Sequence, residues 1–107
     1  MVISNPAGYL LSGLSASGAV GSIMDTRAAL GRGLLTIMSI GASANVTFQE
    51  SHDSTGWVSV ATYTAASGVT ATAQITDYYP YVRGIINFAY SGAAGTGQPL
   101  LHFHPLV

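Results

Sequence analysis

The sequence predicts an all-β protein whose fold is an antiparallel β-sandwich, of the jelly-roll or immunoglobulin-like kind, with an extended N-terminal arm. The first observation is alternation: within Asn45–Ser51, Val46 and Phe48 fall on one side and Thr47 and Gln49 on the other. Successive side chains of a strand point to opposite faces, so this pattern is typical of half-buried strands. The second is spacing, because such segments recur roughly every 8–12 residues with turn residues between them, as in sandwiches and small barrels.

The length of 107 residues suits one domain with a modest core, and 49% of the residues are hydrophobic. We predict an N-terminal arm over residues 1–32 and a sandwich domain over residues 33–107. The arm is rich in glycine and small residues, yet it holds an apolar group that is unsuited to a solvated tail. We therefore expect it to dock on this domain or on a neighbouring protein, with these candidate partner-binding residues: Tyr9, Leu10, Leu11 and Leu14.

One segment of the arm, Ser22–Gly31, is a candidate helical turn. Asp25 or Thr26 could cap its start, and Gly31 could end it. The segment is short, and a strand through Val20–Met24 is the alternative.

The rest of the chain predicts about seven strands. Gly33–Ala42 is a nearly continuous apolar run between glycines, which suits a central strand buried on both faces or one buried between the domain and a partner. The further predicted strands are Asn45–Ser51, Trp57–Tyr63, Gly68–Ile75, Tyr81–Tyr90 and Pro99–Val107.

The segment His52–Gly56 predicts a hairpin connection between two of these strands. Asp53 and Ser54 can hydrogen-bond their own backbone, and Gly56 can adopt a positive φ.

Charged residues are scarce. Asp, Glu, Lys and Arg make up 7% of the chain, against about 25% in ordinary soluble domains. A free monomer normally uses surface charge to stay soluble and to discourage pairing at sheet edges. The composition therefore favours a permanent assembly, with a soluble monomer that has a Ser/Thr surface as the alternative.

Composition also excludes several classes of function. A net charge of -1 with three basic residues excludes an electrostatic nucleic-acid binder, which needs a basic patch. The absence of cysteine excludes disulfides and thiolate metal sites. No apolar run approaches the roughly 18 residues that span a bilayer, and Met1–Ile3 lacks the positive start of a secretory signal. We expect no membrane association and synthesis in a cytoplasm.

His102 and His104 are the candidate metal ligands, because an H-x-H pair on a strand places both imidazoles on one face. A zinc or iron site needs a third ligand, which Glu50, His52, Asp53 or Asp77 could supply only through tertiary proximity. A metal-dependent, cupin-like enzyme is therefore a hypothesis that rests on these two histidines. With four carboxylates and no G-x-S-x-G motif, the sequence does not favour catalysis, and we expect no catalytic residues and no cofactor.

A group of aromatic residues lies around two of the predicted turns: Trp57, Tyr78, Tyr79 and Tyr81. Exposed aromatic rings can stack on sugars, while buried or interfacial ones pack in a core or against a protein. Arg83 follows on the same predicted strand, and we expect a carboxylate partner for it, Glu50 or Asp77.

The motifs V-T-F-Q-E-S (46–51), W-V-S-V-A (57–61) and Y-Y-P-Y-V-R-G-I (78–85) resemble those of small β-sandwich structural proteins in tailed bacteriophage virions, of the head decoration or cement type. The resemblance covers a little under half the chain, and Glu50, Ser51, Trp57 and Tyr81–Arg83 carry it. It implies a non-enzymatic virion protein that binds the major capsid protein lattice, as a trimer or dimer, and stabilises the head. A tail or fibre component, or a carbohydrate-binding sandwich module, is the alternative.

Overall fold

The computed structural model describes residues 8–26, 31–76, 78–92 and 95–106, and all regular structure within them is β-strand. This confirms the all-β prediction. The strands are β1 (Gly8–Leu11), β2 (Met24–Asp25), β3 (Arg32–Ile40), β4 (Ala44–Ser51), β5 (Val58–Ala65), β6 (Ala71–Thr76), β7 (Tyr81–Ala89), β8 (Ser91–Gly92), β9 (Gly95–Thr96) and β10 (Gln98–Leu106).

Two four-stranded antiparallel sheets form the sandwich. Sheet A has the order β1-β10-β3-β6 and sheet B the order β2-β7-β4-β5, while β8 and β9 form a small separate ribbon. The pairing is nested, because β1 pairs with β10, β2 with β7, β3 with β6 and β4 with β5. A long hairpin rolled up in this way is a jelly roll, so the topology selects that option over the immunoglobulin-like one.

The core lies between the sheets, where the alternating apolar side chains of both meet. Phe48 from sheet B and Phe103 from sheet A pack with ring centroids 5.2 Å apart. Gly84 lets β1 and β10 come close to β7, because a Cβ at this position would lie 2.7 Å from Leu101 Cδ2 and 2.9 Å from Leu11 Cγ. Further fully buried apolar side chains include Leu10, Leu35, Val46, Val82 and Ile86.

The described part of the predicted arm is integrated into the sandwich. Gly8–Leu11 is an edge strand of sheet A, and Leu10 and Leu11 are each 1% exposed. Residues 18–25 then run along β7, with the Gly18 N–H donating to the Ile86 carbonyl at 2.7 Å. Of the two docking surfaces that the sequence left open, the domain's own sheets receive these residues, because they bury apolar side chains and satisfy backbone groups there. The segments 1–7 and 27–30 lie outside the described residues.

The predicted helical turn at Ser22–Gly31 is wrong for the part that the structure describes. Met24 and Asp25 pair with Val82 and Tyr81 as β2, which agrees with the alternative of an extended segment. Thr26 donates its hydroxyl to the Pro80 carbonyl at 2.6 Å instead of capping a helix. Tertiary strand pairing outweighs the weak local helix signal.

The central strand β3 is buried on one face only. Leu35 and Ile37 point into the core, whereas Leu34 and Ile40 on the other face are 38% and 53% exposed. The apolar run thus reflects a second, outward-facing apolar surface and not burial on both faces within this domain.

Candidate functional site

The outward side of sheet A is a nearly uncharged surface, which we call face A. Strand register places the side chains at alternate positions of its four strands on this surface. Its apolar members are Tyr9, Leu34, Met38, Ile40 and Leu100, and its polar members are Thr36, Thr72, Gln74, His102 and His104, with Arg32 at one end. An apolar outward sheet face that spans several strands is typical of a binding surface.

A shallow depression of about 260 Å³ lies in the middle of face A. Tyr9 and His102 form one wall, with their rings in an edge-to-face contact at 5.1 Å. Met38 and Leu100 supply apolar lining, and Thr36 and Thr70 supply hydroxyls. The lining of the depression thus combines apolar groups with hydroxyl and imidazole groups.

The two candidate metal ligands lie on face A, as the strand pattern predicted. His102 is half-buried against Tyr9 and His104 is exposed, while Glu50 is on β4 of the other sheet. Within the described ranges, no group of three or more His, Cys, Asp or Glu side chains could hold a metal ion. Nothing in the described geometry therefore supplies the third ligand that the cupin-like hypothesis requires.

The outward side of sheet B, which we call face B, is polar and internally hydrogen-bonded in its middle part, while Phe88 and Tyr90 are exposed at one end. The Asn87 amide donates to Asn45 Oδ1 and to Thr47 Oγ1, both at 2.7 Å. Thr47 also shares a hydrogen bond with Thr62 at 3.1 Å. Because these groups satisfy one another, this part of face B is a rigid polar ladder with its hydrogen-bonding capacity largely used.

Arg83 joins the polar ladder to Trp57. Its Nε donates to Gln49 Oε1 at 2.9 Å, and its guanidinium carbon lies 4.1 Å from the centroid of the Trp57 ring. Partial burial lowers the pKa of Arg83. Of the two expected carboxylate partners, Glu50 instead accepts the Tyr79 N–H at 3.0 Å, and Asp77 lies outside the described residues.

The predicted aromatic group is not one platform. Tyr78 is a core residue, 8% exposed, with its ring edge-to-face against Phe103 at 5.2 Å, and burial raises the pKa of its phenol. Tyr79 stacks on His52 at 3.7 Å, and Tyr81 lies half-buried on β7. Alternation around Pro80 separates the three tyrosines, so Tyr78, like Leu10 and Leu11, is removed from the surface available to a partner.

Among the proposed partner-binding residues of the arm, Tyr9 is exposed on face A and Leu14 is partly buried against the core. Tyr9 thus remains a surface candidate together with Trp57, Tyr79 and Tyr81.

Sequence reasoning missed an exposed aromatic pair at the far end of β7. Phe88 and Tyr90 are 43% and 52% exposed and meet edge-to-face at 5.2 Å. The register of β7 against β4 shifts by one residue at Asn87, so Phe88 changes from the inward to the outward side. Strict alternation would have placed it inward beside Ile86.

The predicted hairpin turn is confirmed at Asp53, but its positive φ, 62°, lies at Ser54 and not at the predicted position, Gly56. Asp53 Oδ1 accepts the N–H groups of Thr55 at 2.9 Å and Gly56 at 3.0 Å, and the Ser51 hydroxyl at 3.1 Å. These hydrogen bonds, the Gly56 N–H first, lower the pKa of the Asp53 carboxyl. One of the four carboxylates is therefore committed to a turn.

In the described residues, no helix is long and apolar enough to span a bilayer. Comparison of the chain with protein-family models, with curated proteins and with solved structures gives no match.

Proposed function

We propose that this protein is a non-enzymatic structural protein of a bacteriophage virion, a cement or decoration protein that binds the major capsid protein lattice through face A. The observation that carries the proposal is that this face is nearly uncharged and exposes apolar side chains on several strands. Tyr9, Leu34 and Ile40 are exposed there, with Met38 and Leu100 half-buried between them.

The size of face A fits a protein partner. Strands about 4.8 Å apart and rising about 3.3 Å per residue give it a projected area of roughly 450 Å². A stable interface buries about 800 Å² per partner, so face A supplies a large share of one, with loops adding the rest. Full burial of an exposed apolar side chain contributes about 1.5–3 kcal/mol, and the partly exposed side chains of face A contribute a fraction of that each, which many copies on one lattice add together.

The jelly-roll topology is in keeping with this proposal, because such double-sheet folds are common in viral capsid and lectin domains. Fold alone does not specify function, so the topology supports the proposal without carrying it. The scarcity of charge supports it as well, since a chain with so few ionic groups suits a permanent assembly.

The test is binding of the purified protein to heads of the encoding bacteriophage that were assembled without it. We expect co-sedimentation with the heads and increased resistance of the heads to heat. Leu34→Glu places a charge on face A and should abolish binding, whereas Thr64→Glu, an exposed position of β5 on face B, should bind as the unmodified protein does. Absence of binding, or equal binding by both variants, would overturn the proposal.

A glycan-binding module is the second candidate, and the Trp57–Arg83 contact favours it. An aromatic ring beside a guanidinium and the Gln49 amide combines a stacking surface with hydrogen-bonding groups for sugar hydroxyls. A glycan array tests this candidate: Trp57→Ala should abolish any binding while Tyr90→Ala, at the other end of β7, leaves it intact. Binding that survives Trp57→Ala, or none on the array, would exclude it.

A further inference from the structure

One lateral side of the sandwich is closed by the chain itself. After β1, residues 18–25 cross to sheet B and pair along β7, where the Gly21 N–H donates to the Gly84 carbonyl at 2.9 Å. On the way, the Ser22 N–H donates to the Leu10 carbonyl at 3.0 Å and so bridges the two sheets. Backbone groups at this side of the molecule are therefore partly satisfied from within.

The opposite side carries two open edges. Within the described residues, β5 pairs with β4 alone and β6 pairs with β3 alone. Half of the backbone N–H and C=O groups of an edge strand point away from its neighbour, where they can bond to another strand. From Trp57 to Thr76, which includes both edge strands, the sequence has no charged residue.

The two edges differ in how they are protected. β5 is out of register at Val60, which faces no partner between the pairs Phe48–Ala61 and Gln49–Ser59, and such a bulge twists an edge away from pairing. β6 has no such bulge. All six of its residues stay in regular register with β3, and it contains no proline, glycine or charge.

We propose that β6 pairs antiparallel with β6 of a second copy of this chain, around a twofold axis, and joins two copies of sheet A into one eight-stranded sheet. A second copy is the occupant because an antiparallel strand is complementary to itself under twofold symmetry. It also matches in charge, since a neutral edge meets an equally neutral one without repulsion or an unpaired ion.

The alternation of side chains along a strand limits the register in which the two copies of β6 can pair. For the outward face of one sheet to continue into the other, outward side chains must lie opposite outward side chains across the axis. The axis then passes at Ala73 or at Gln74, which are the two central residues of β6. In both registers the two Gln74 side chains are direct or diagonal cross-strand neighbours, and both lie exposed on face A.

This pairing does not depend on the proposed capsid function. If both proposals hold, the dimer presents two copies of face A side by side and doubles the area available to one lattice. Failure of capsid binding would leave the dimer intact, and failure of dimerisation would leave a monomeric face A able to bind.

The first test is the mass of the purified full chain in solution, by sedimentation equilibrium over a range of concentrations. We expect a dimer for the unmodified chain. Gln74→Lys brings two like charges together at the axis and should raise the dimer Kd by about tenfold or more. The matched control Thr64→Lys adds the same charge to the other open edge strand, near its C-terminal end, and should leave the Kd unchanged.

Three outcomes overturn the proposal: a monomer at every concentration, a dimer that Gln74→Lys does not weaken, or a dimer that Thr64→Lys weakens instead. A second measurement is independent of charge. The chain has no cysteine, so Gln74→Cys creates a single thiol, and a short bis-maleimide should link two such chains covalently while it leaves Thr64→Cys chains unlinked. Equal linking of both cysteine variants, or linking of neither, would contradict pairing through β6.

Discussion

The guanidinium of Arg83 lies over the indole of Trp57, with 4.1 Å between the Arg83 Cζ atom and the ring centroid. The Gln49 amide oxygen holds the same guanidinium at Nε. Arg83 on β7 thus holds the ring of Trp57, the residue immediately before β5, across the intervening strand β4. Trp57 is the single tryptophan of the chain, so its fluorescence reports on this contact directly.

Removal of the Arg83 side chain should free the Trp57 ring. We expect Arg83→Ala to change the native emission spectrum of Trp57 and to lower the free energy of unfolding by about 1 kcal/mol, the size of a partly exposed cation–π contact. Emission and urea unfolding followed by circular dichroism measure the two effects. In a double-mutant cycle with Trp57→Leu, which removes the aromatic face, the energies should be non-additive, and strict additivity would show that the two side chains do not interact.

The close approach of β1 and β10 to β7 depends on the missing side chain at Gly84. Gly84→Ala places a methyl group within 3 Å of Leu101 and Leu11 and should cost about 1–3 kcal/mol of stability through overpacking. Gly56→Ala is the matched control, because a Cβ there meets nothing within 4 Å. Thermal unfolding of both variants checks the prediction. A fully stable Gly84→Ala protein would mean that β1 does not pack on β7 as described.

The Phe48–Phe103 contact is the centre of the core. Phe48 is fully buried, so Phe48→Ala should destabilise the domain by about 3–5 kcal/mol, the cost of lost burial and a cavity. Phe88→Ala removes the same side chain from the surface and should cost less than about 1 kcal/mol. Denaturant unfolding measures the free energy of unfolding of both variants. Similar decreases in the two would contradict the assignment of Phe48 to the core and of Phe88, beyond the bulge at Asn87, to the surface.

The turn at Asp53 should contribute a pH-dependent part of the stability. Hydrogen bonds from the Gly56 and Thr55 N–H groups lower the pKa of this carboxyl in the folded state. The stabilisation is therefore fully present above the unfolded-state pKa and is lost as pH falls through the lower, folded-state value.

Asp53→Asn keeps an acceptor oxygen but removes the charge. We expect this variant to be less stable than the unmodified chain at neutral pH, with the difference shrinking in acid. Unfolding curves across this pH range provide the measurement. A difference that stays constant with pH would show that the carboxylate charge does not support the turn.

Local sequence patterns predicted part of the candidate site. Alternation on β10 placed His102 and His104 on one face opposite Leu101 and Phe103, because the pleat has a period of two residues. The same rule failed for Phe88, since one extra residue at Asn87 reverses the direction of every later side chain. The expected Glu50 partner of Arg83 was wrong because it rested on charge pairing alone, whereas β4 directs Gln49, and not Glu50, to the face on which Arg83 lies.

Sequence alternation and turn chemistry are local properties, and they were sufficient for the strands β3–β7 and β10 and for the turn at Asp53. Three further features came from tertiary structure alone. They are the order of those strands in two sheets, the incorporation of Gly8–Leu11 and Met24–Asp25 as strands, and the separation of Tyr78 from Tyr79 and Tyr81. The physical reason is that many neutral, alternating strands are equally able to pair with one another. Which pairs form is decided by the burial of all the apolar faces together, a condition that no single segment contains.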